Sequence, residues 1–278
     1  MSSSNGGYYL PAPSHWPIVG SVGMFLLLFG FASFLHGSSS LVMIAGAVVI
    51  IVMLFGWFGT VINESLSGKY NNQVDTSFRM AMGWFIFSEV MFFAAFFGAL
   101  FYARMYAIPW LGGGSNNVMT NELLWPAFEA VWPTNGPGEV GGTFQPMGAW
   151  GIPAINTLIL LSSGVTVTWA HWGLKKGDRT QLILGLMATV ALGFLFISLQ
   201  AYEYYHAYHE LNLKLTSGMY GTTFYMLTGF HGLHVTLGAI MLFVVMIRAM
   251  KGHFTEEHHF AFEAAAWYWH FVDVVWLG

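Results

Sequence analysis

Trp84-Phe-Ile-Phe-Ser-Glu-Val-Met-Phe-Phe-Ala-Ala-Phe-Phe97 is a run of apolar residues with one carboxylic acid, Glu89, near its centre. A charge at the middle of a membrane-spanning helix costs about 2.5–3.5 kcal/mol on insertion scales for Asp, Lys or Arg, so such a residue is kept for a reason. Burial disfavours the ionised form of a carboxylic acid. We therefore expect Glu89 to be a buried acid whose role is linked to a proton. Its role is a proton relay, an ion ligand, a partner for a polar group on another helix, or a structural acid bonded to Ser88 or a backbone carbonyl.

The rest of the chain shares the composition of this run. It is 56% hydrophobic and only 8% charged, against about 25% charged residues in an ordinary soluble domain. A membrane-spanning helix needs about 20 mostly apolar residues. The sequence therefore predicts an all-α, polytopic membrane protein with seven transmembrane helices, at 17–35, 41–62, 78–107, 152–173, 181–204, 218–250 and 260–278.

These helices divide the chain into an N-terminal cytoplasmic segment (1–16), a first two-helix unit (17–62), an inner loop (63–77) and a five-helix unit (78–278). The N-terminal segment lacks the basic residues of a signal peptide, so the first helix is expected to be retained. The long connection 108–150 within the last unit is expected to be a docking surface, a lid or an insertion on the membrane surface.

The basic residues predict the orientation of the helices. Cytoplasmic loops carry an excess of Lys and Arg. Two basic residues, Arg104 and Lys214, fall on the side opposite the N-terminus, and the other seven share its side: Lys69, Arg79, Lys175, Lys176, Arg179, Arg248 and Lys251. The N-terminus is therefore predicted inside and the C-terminus outside.

Cysteine is absent, which excludes disulfides, thiolate nucleophiles and Cys-ligated metal centres. The chain also lacks the basic tracts that suit nucleic acid. Two Glu-x-x-His strings, 203–206 and 256–259, match the pattern of a di-iron bundle. They are predicted to lie on opposite sides of the membrane, about 30 Å apart, so one dinuclear centre cannot use both. No metal site is expected.

Other polar residues within the spans are expected to pack between helices. His231 and His234 lie three residues apart, on one helix face, and are predicted to hydrogen-bond across helices. In the last span Glu263 and His270 lie on one face, and Asp273 follows three residues later. This polar face is expected to contact protein; a proton path is the sharper alternative. Arg79, Arg248, Lys251 and His253 at the inner interface are expected to be anchors or phospholipid ligands.

Several long strings of the sequence identify a family. The chain resembles subunit III of aa3-type cytochrome c oxidase at Phe87-Ser-Glu-Val-Met-Phe-Phe93, Gln200-Ala-Tyr-Glu-Tyr-Tyr205, Gly221-Thr-Thr-Phe-Tyr-Met-Leu-Thr-Gly-Phe-His-Gly-Leu-His-Val235 and His258-His-Phe-Ala-Phe-Glu-Ala-Ala-Ala-Trp-Tyr-Trp-His-Phe-Val-Asp-Val-Val-Trp-Leu277. The resemblance runs from Trp16 onward and includes the two first helices, which ubiquinol oxidase subunit III typically lacks.

The resemblance implies a subunit that carries no redox centre itself. Haem a and copper are then held by partner subunits I and II, which pass electrons from cytochrome c to oxygen in a proton-pumping enzyme. Glu89 matches the family's buried, carbodiimide-reactive glutamate, and the subunit is expected to support proton uptake and turnover stability. Bound phospholipids are expected in a cleft between the first two helices and the other five, at Trp57, Glu64, Arg79, Arg248, Lys251 and His253.

Two departures from the family and two rival functions complete the sequence-based expectations. The stretch 58–64 lacks two basic residues that the family often has there, which puts lipid binding at this point in doubt. The loop 108–150 is longer than in mitochondrial members, which favours a bacterial inner-membrane protein. The rivals are a standalone transporter or proton channel using Glu89 and His231, and a metal- or haem-binding protein using His231, His234 and His270.

Overall fold

A computed structural model describes residues 9–278, so part of the predicted N-terminal segment lies outside the described residues. Within 9–278 the secondary structure is helical and contains no β-strand, in agreement with the all-α prediction. The helices are α1 (Trp16–Leu35), α2 (Leu41–Leu66), α3 (Asn72–Tyr102), a π-helical segment (Ala103–Ala107), α4 (Ile108–Leu111), α5 (Val118–Leu124), α6 (Ile152–Lys175), α7 (Arg179–His209), α8 (Gly218–Met250) and α9 (Phe260–Leu277).

Six of these helical stretches are long and apolar enough to cross a membrane: Trp16–Leu35, Leu41–Leu66, Asn72–Leu111, Ile152–Lys175, Arg179–His209 and Gly218–Met250. The predicted seventh span corresponds to α9, which has 18 residues and is not among them. Its acidic and histidine side chains lower its hydropathy. The count of seven and the orientation of the termini therefore remain predictions.

The connection between α2 and α3 is shorter than the predicted inner loop 63–77. Helix α2 runs to Leu66 and α3 begins at Asn72. The helices extend beyond their apolar stretches because the polar residues at their ends are still compatible with helix. The chain divides into two compact units, one ending at Met80 and one spanning Ala81–Gly278, and the division falls within α3.

The first unit is built on the antiparallel pair α1 and α2, which a five-residue turn, 36–40, connects. A Cβ on Gly30 would overlap the backbone of Val42 and Met43, and one on Gly46 would overlap that of Leu27. The two backbones therefore touch where these glycines lie, as in other membrane helix pairs with small residues at the interface.

In the second unit the core lies between α6, α7, α8 and α9, with Phe93 of α3 packed against them. Helix α9 is central to this core, because Phe262, Trp269 and Val272 are fully buried. The close approach of α6 to α7 depends on Gly185, where a side chain would overlap Ala170. The core thus fixes the polar side chains that α9 carries.

The loop 108–150 is folded onto the connection between α7 and α8. The backbone N–H of Gln145 donates to Leu211 at 2.9 Å, and the N–H of Tyr220 donates to Thr134 at 3.1 Å. The ring of Phe144 also stacks on Tyr220, with centroids 5.4 Å apart. The loop is therefore tied to the ends of two long helices.

Candidate functional site

Glu89 of α3 meets His234 of α8 inside the second unit. Glu89 Oε2 and His234 Nε2 are 2.9 Å apart, and the His234 residue is only 8% exposed. Ser88 is not the partner of the acid, because its hydroxyl donates to the carbonyl of Phe85 at 2.6 Å. The geometry thus pairs Glu89 with a polar group on another helix.

The hydrogen bonds of His234 fix how many protons the pair holds. His234 Nδ1 lies 2.6 Å from the carbonyl oxygen of Phe230, one helical turn earlier. A carbonyl oxygen only accepts, so Nδ1 carries a hydrogen. The contact between Nε2 and Oε2 then needs one further proton, held by the imidazolium or by the carboxylic acid. The pair is therefore a one-proton site.

Aromatic rings surround this pair. The ring of His234 lies 4.9 Å from that of Phe93 and 5.9 Å from that of Phe92, measured between centroids. On the side of α9, the ring of Tyr268 is nearly parallel to the imidazole at 6.3 Å. The two phenylalanine rings carry no group that competes with Glu89 and His234 for a hydrogen bond.

The predicted polar face of α9 points mainly toward α6. His270 Nε2 lies 3.3 Å from the hydroxyl of Thr168, and His270 Nδ1 lies 3.5 Å from Asp273 Oδ2. Asp273 is buried beside Gly164, where an added Cβ would be 2.6 Å from its Oδ2. Trp267, which shares the face by its spacing, is 37% exposed. The seam between α6 and α9 is therefore polar and close-packed.

Two indole groups strengthen the same seam. Trp269 Nε1 donates to the buried Ser163 hydroxyl at 2.8 Å, and Trp276 Nε1 donates to Thr157 at 2.9 Å. Sequence reasoning singled out neither tryptophan. Their spacing on α9, seven residues, was the signal that both lie on one helix face.

His231 links α8 to α9. Its Nε2 lies 3.0 Å from the carbonyl oxygen of Val272, so Nε2 is the protonated ring nitrogen. Its ring packs against Trp276 at 4.9 Å between centroids. His231 and His234 thus contact different partners, although they share one helix face.

Glu263 lies away from the Glu89 pair, at the start of α9. Its Oε1 lies 3.5 Å from His171 Nε2 of α6 and 3.3 Å from His259 Nε2. The spacing of the Glu-x-x-His strings does not reveal this group, because His171 is 88 residues from His259. Among the described residues this is the one group of three potential metal ligands whose ligand atoms converge.

The predicted lipid-binding residues of the second unit cluster where α8 ends. The guanidinium of Arg248 lies over the ring of Phe254 at 4.7 Å, a cation–π contact. The side chain of Lys251 is exposed, and His253 is partly buried. Burial, together with the charges of Arg248 and Lys251, lowers the pKa of His253 below its ordinary value. In the described part of the chain, no carboxylate lies within ion-pair distance of these three residues.

The other predicted lipid-binding residues belong to the first unit. Glu64 accepts a hydrogen bond from the hydroxyl of Tyr70 at 2.9 Å. Burial and the Glu64 carboxylate raise the pKa of Tyr70 above its ordinary value. Arg79 Nε donates to Asp75 at 2.7 Å within α3, and Trp57 is exposed. Each of the two units thus carries its own part of the predicted set.

The helical stretches and their hydropathy define a class, the multi-pass membrane proteins. Comparison with known proteins then identifies the family. The family described as "Cytochrome c oxidase subunit III" matches residues 6–278, and the chain belongs to this family.

Individual relatives match along the full length of the chain. "Cytochrome c oxidase subunit 3" of Dugong dugon is 39% identical over 278 residues, with 100% of this chain and 96% of the relative covered. The proteins of the same name from Carassius auratus and Latimeria chalumnae are each 40% identical with the same coverage. The chain is therefore part of a terminal oxidase complex.

Proposed function

We propose that this chain is a subunit without redox centres that supports proton uptake by the oxidase. The observation that carries the proposal is the one-proton pair of Glu89 and His234. A polar pair that holds a proton between packed helices is the kind of group found in intramembrane proton relays. Haem a and copper then belong to subunits I and II, which oxidise cytochrome c and reduce oxygen.

The same subunit binds phospholipid at its basic side chains. Arg248 and Lys251 support this part of the proposal, because they bring two cationic groups together beside His253, without a carboxylate nearby in the described residues. A phospholipid phosphate is the natural counter-ion for such a group at a membrane interface. Trp57, Glu64 and Arg79 of the first unit are the second set of lipid contacts in this proposal.

The proposed location is the inner membrane of a bacterium, with the N-terminus inside. The excess of Lys and Arg on the N-terminal side supports this orientation. The long loop 108–150 supports the bacterial assignment and is then periplasmic. Its ties to the connection between α7 and α8 hold it against the outer ends of these helices.

The test of the proton function uses the whole oxidase purified with Glu89→Gln, with His234→Gln or with Glu122→Gln as the matched control. Glu122 is an exposed glutamate, so its replacement removes the same group away from the pair. The measurements are haem a content, protons ejected per electron in vesicles, and the time for which turnover with reduced cytochrome c persists.

We expect haem a content to be unchanged in all three variants. Proton ejection per electron, or the lifetime of turnover, is expected to fall with Glu89→Gln and His234→Gln but not with Glu122→Gln. If both properties stay at the control value in the two pair variants, Glu89 is a structural acid and the proton function is refuted.

A further inference from the structure

Three potential metal ligands meet where α6 ends and α9 begins. His171 comes from α6, His259 is the residue directly before α9, and Glu263 lies in the first turn of α9. The two Nε2 atoms are 3.4 Å apart, and Glu263 Oε1 lies 3.5 Å from His171 and 3.3 Å from His259. All three atoms thus point into one small space.

The hydrogen bond of His259 Nδ1 determines whether the Nε2 atom of the same ring is a donor or an acceptor toward Glu263. His259 Nδ1 lies 3.0 Å from the carbonyl oxygen of Thr255, so Nδ1 carries a hydrogen. In the neutral ring Nε2 is then a bare lone pair, and it faces a carboxylate oxygen of Glu263. Two acceptors facing each other repel unless a cation lies between them. A ring N–H held by a backbone carbonyl is also the usual support for a metal-binding histidine.

The distances distinguish a metal ion from shared protons. Hydrogen bonds from N–H to oxygen are usually about 2.7–3.2 Å long, shorter than the two contacts of Glu263 Oε1 with the imidazoles. Four ligands placed tetrahedrally at zinc–nitrogen and zinc–oxygen distances of about 2.0–2.1 Å are about 3.3–3.4 Å from one another. Octahedral ligands at the same bond length are closer, at about 2.9 Å. The observed separations of 3.3–3.5 Å match the face of a tetrahedron.

We propose that His171 Nε2, His259 Nε2 and Glu263 Oε1 bind a divalent zinc ion, with the fourth position open to water. Two imidazoles and a carboxylate are a ligand set that zinc accepts, and the set needs no cysteine. This proposal does not depend on the proton function of Glu89.

The surrounding structure holds the ligands in place without an ion. The segment before α9 is closed by two bonds, from the N–H of Thr255 to the carbonyl of His258 and from the N–H of His258 to the Thr255 hydroxyl. On α6, Ala170 beside His171 is pressed against Gly185 of α7. The side chains of His171 and Glu263 remain 21% and 12% exposed, so an ion can reach them from one side. A bound ion would cross-link α6 to the first turn of α9.

The experiment uses the full chain in detergent, with the variants His171→Gln and His259→Gln. His258→Gln is the control, because His258 is the exposed neighbour of His259 and lies outside the group. Each protein is stripped with a chelator, equilibrated with buffered zinc chloride and passed over a desalting column. Zinc retained per chain is measured by mass spectrometry, and the zinc K-edge absorption spectrum gives the ligand atoms.

We expect one more retained zinc in the wild type and His258→Gln than in the other two variants. The spectrum of the wild type should show two imidazole nitrogens and a carboxylate oxygen. Circular dichroism in chelator separates the loss of a ligand from the loss of the fold. If folded His171→Gln and His259→Gln retain as much zinc as the control, or the wild type retains none, the proposal is overturned. If those variants do not fold, a wild-type spectrum without imidazole ligands overturns it.

Discussion

Replacing Glu89 by alanine and by glutamine separates the hydrogen bond to His234 from the other roles of the acid. Alanine leaves His234 Nε2 without its partner at 2.9 Å. Glutamine keeps a polar group of nearly the same shape there, and its amide either donates to or accepts from the ring nitrogen. The two variants therefore differ mainly in whether a buried ring atom keeps a partner.

An unpartnered buried polar atom costs about 1–3 kcal/mol of folding free energy. For chains of this size each kcal/mol lowers the unfolding midpoint by about 2–4 °C. Glu89→Ala should therefore lower the midpoint by about 2–12 °C, whereas Glu89→Gln should stay close to the wild type. Glu122→Ala, an exposed control, should change stability by less than about 0.5 kcal/mol.

The assay is thermal unfolding of the full chain in detergent, followed by tryptophan fluorescence at one pH and one detergent concentration. Equal midpoints for Glu89→Ala and the wild type would mean that the contact does not stabilise the fold. Equal losses for Glu89→Ala and Glu89→Gln would mean that the carboxylate, and not the hydrogen bond, is what the helices require. Either result would refute the reasoning from an unpartnered ring nitrogen.

Three further predictions concern the glycine contact, the indole bond and the basic cluster. Gly46→Ala should lower the unfolding midpoint because its Cβ overlaps α1, with Gly59→Ala, which has open space, as the harmless control. Trp269→Phe should cost about 1–3 kcal/mol in the same assay, because Trp269 is fully buried and the smaller ring leaves a cavity and loses the indole bond to Ser163. Trp267→Phe should not, because Trp267 is exposed. The lowered pKa of His253 means that the native state binds fewer protons than the unfolded state. Stability of the wild type relative to His253→Gln should therefore fall as the pH falls from about 7.5 to 5.5, and no difference across this range would contradict the shift.

The sequence allowed most of the helices to be predicted, because their apolar stretches are long. The helix ends were harder, since polar residues continue α2 to Leu66 and start α3 at Asn72. The interruption at Ala103–Ala107, where α3 becomes π-helical, leaves no clear pattern in the apolar residues. Helix ends and local changes of winding depend on packing that one sequence does not display.

The residues of the candidate functional site were also only partly predictable from the sequence. Glu89 could be found because a carboxylic acid in an apolar run is costly, but nothing in the spacing identified His234 rather than His231 as its partner. His171 could be matched to His259 and Glu263 only after α6 and α9 were placed side by side. Pairings between distant segments depend on how the helices are arranged in three dimensions.

Two of the histidines that face carboxylates, His234 and His259, have the same hydrogen bond on the other ring nitrogen, and this bond has a spectroscopic consequence. His234 and His259 each give their Nδ1 hydrogen to the carbonyl of the residue four positions earlier. In each ring Nδ1 is therefore bonded to the backbone, and Nε2 is the nitrogen whose resonance responds to what lies beside the carboxylate. In a sample labelled with ¹⁵N-histidine, both Nδ1 resonances should keep a directly bonded hydrogen across neutral pH. The Nε2 resonance of His234 should then show whether a proton lies between this ring and Glu89. The Nε2 resonance of His259 should show whether an added cation is bound beside Glu263.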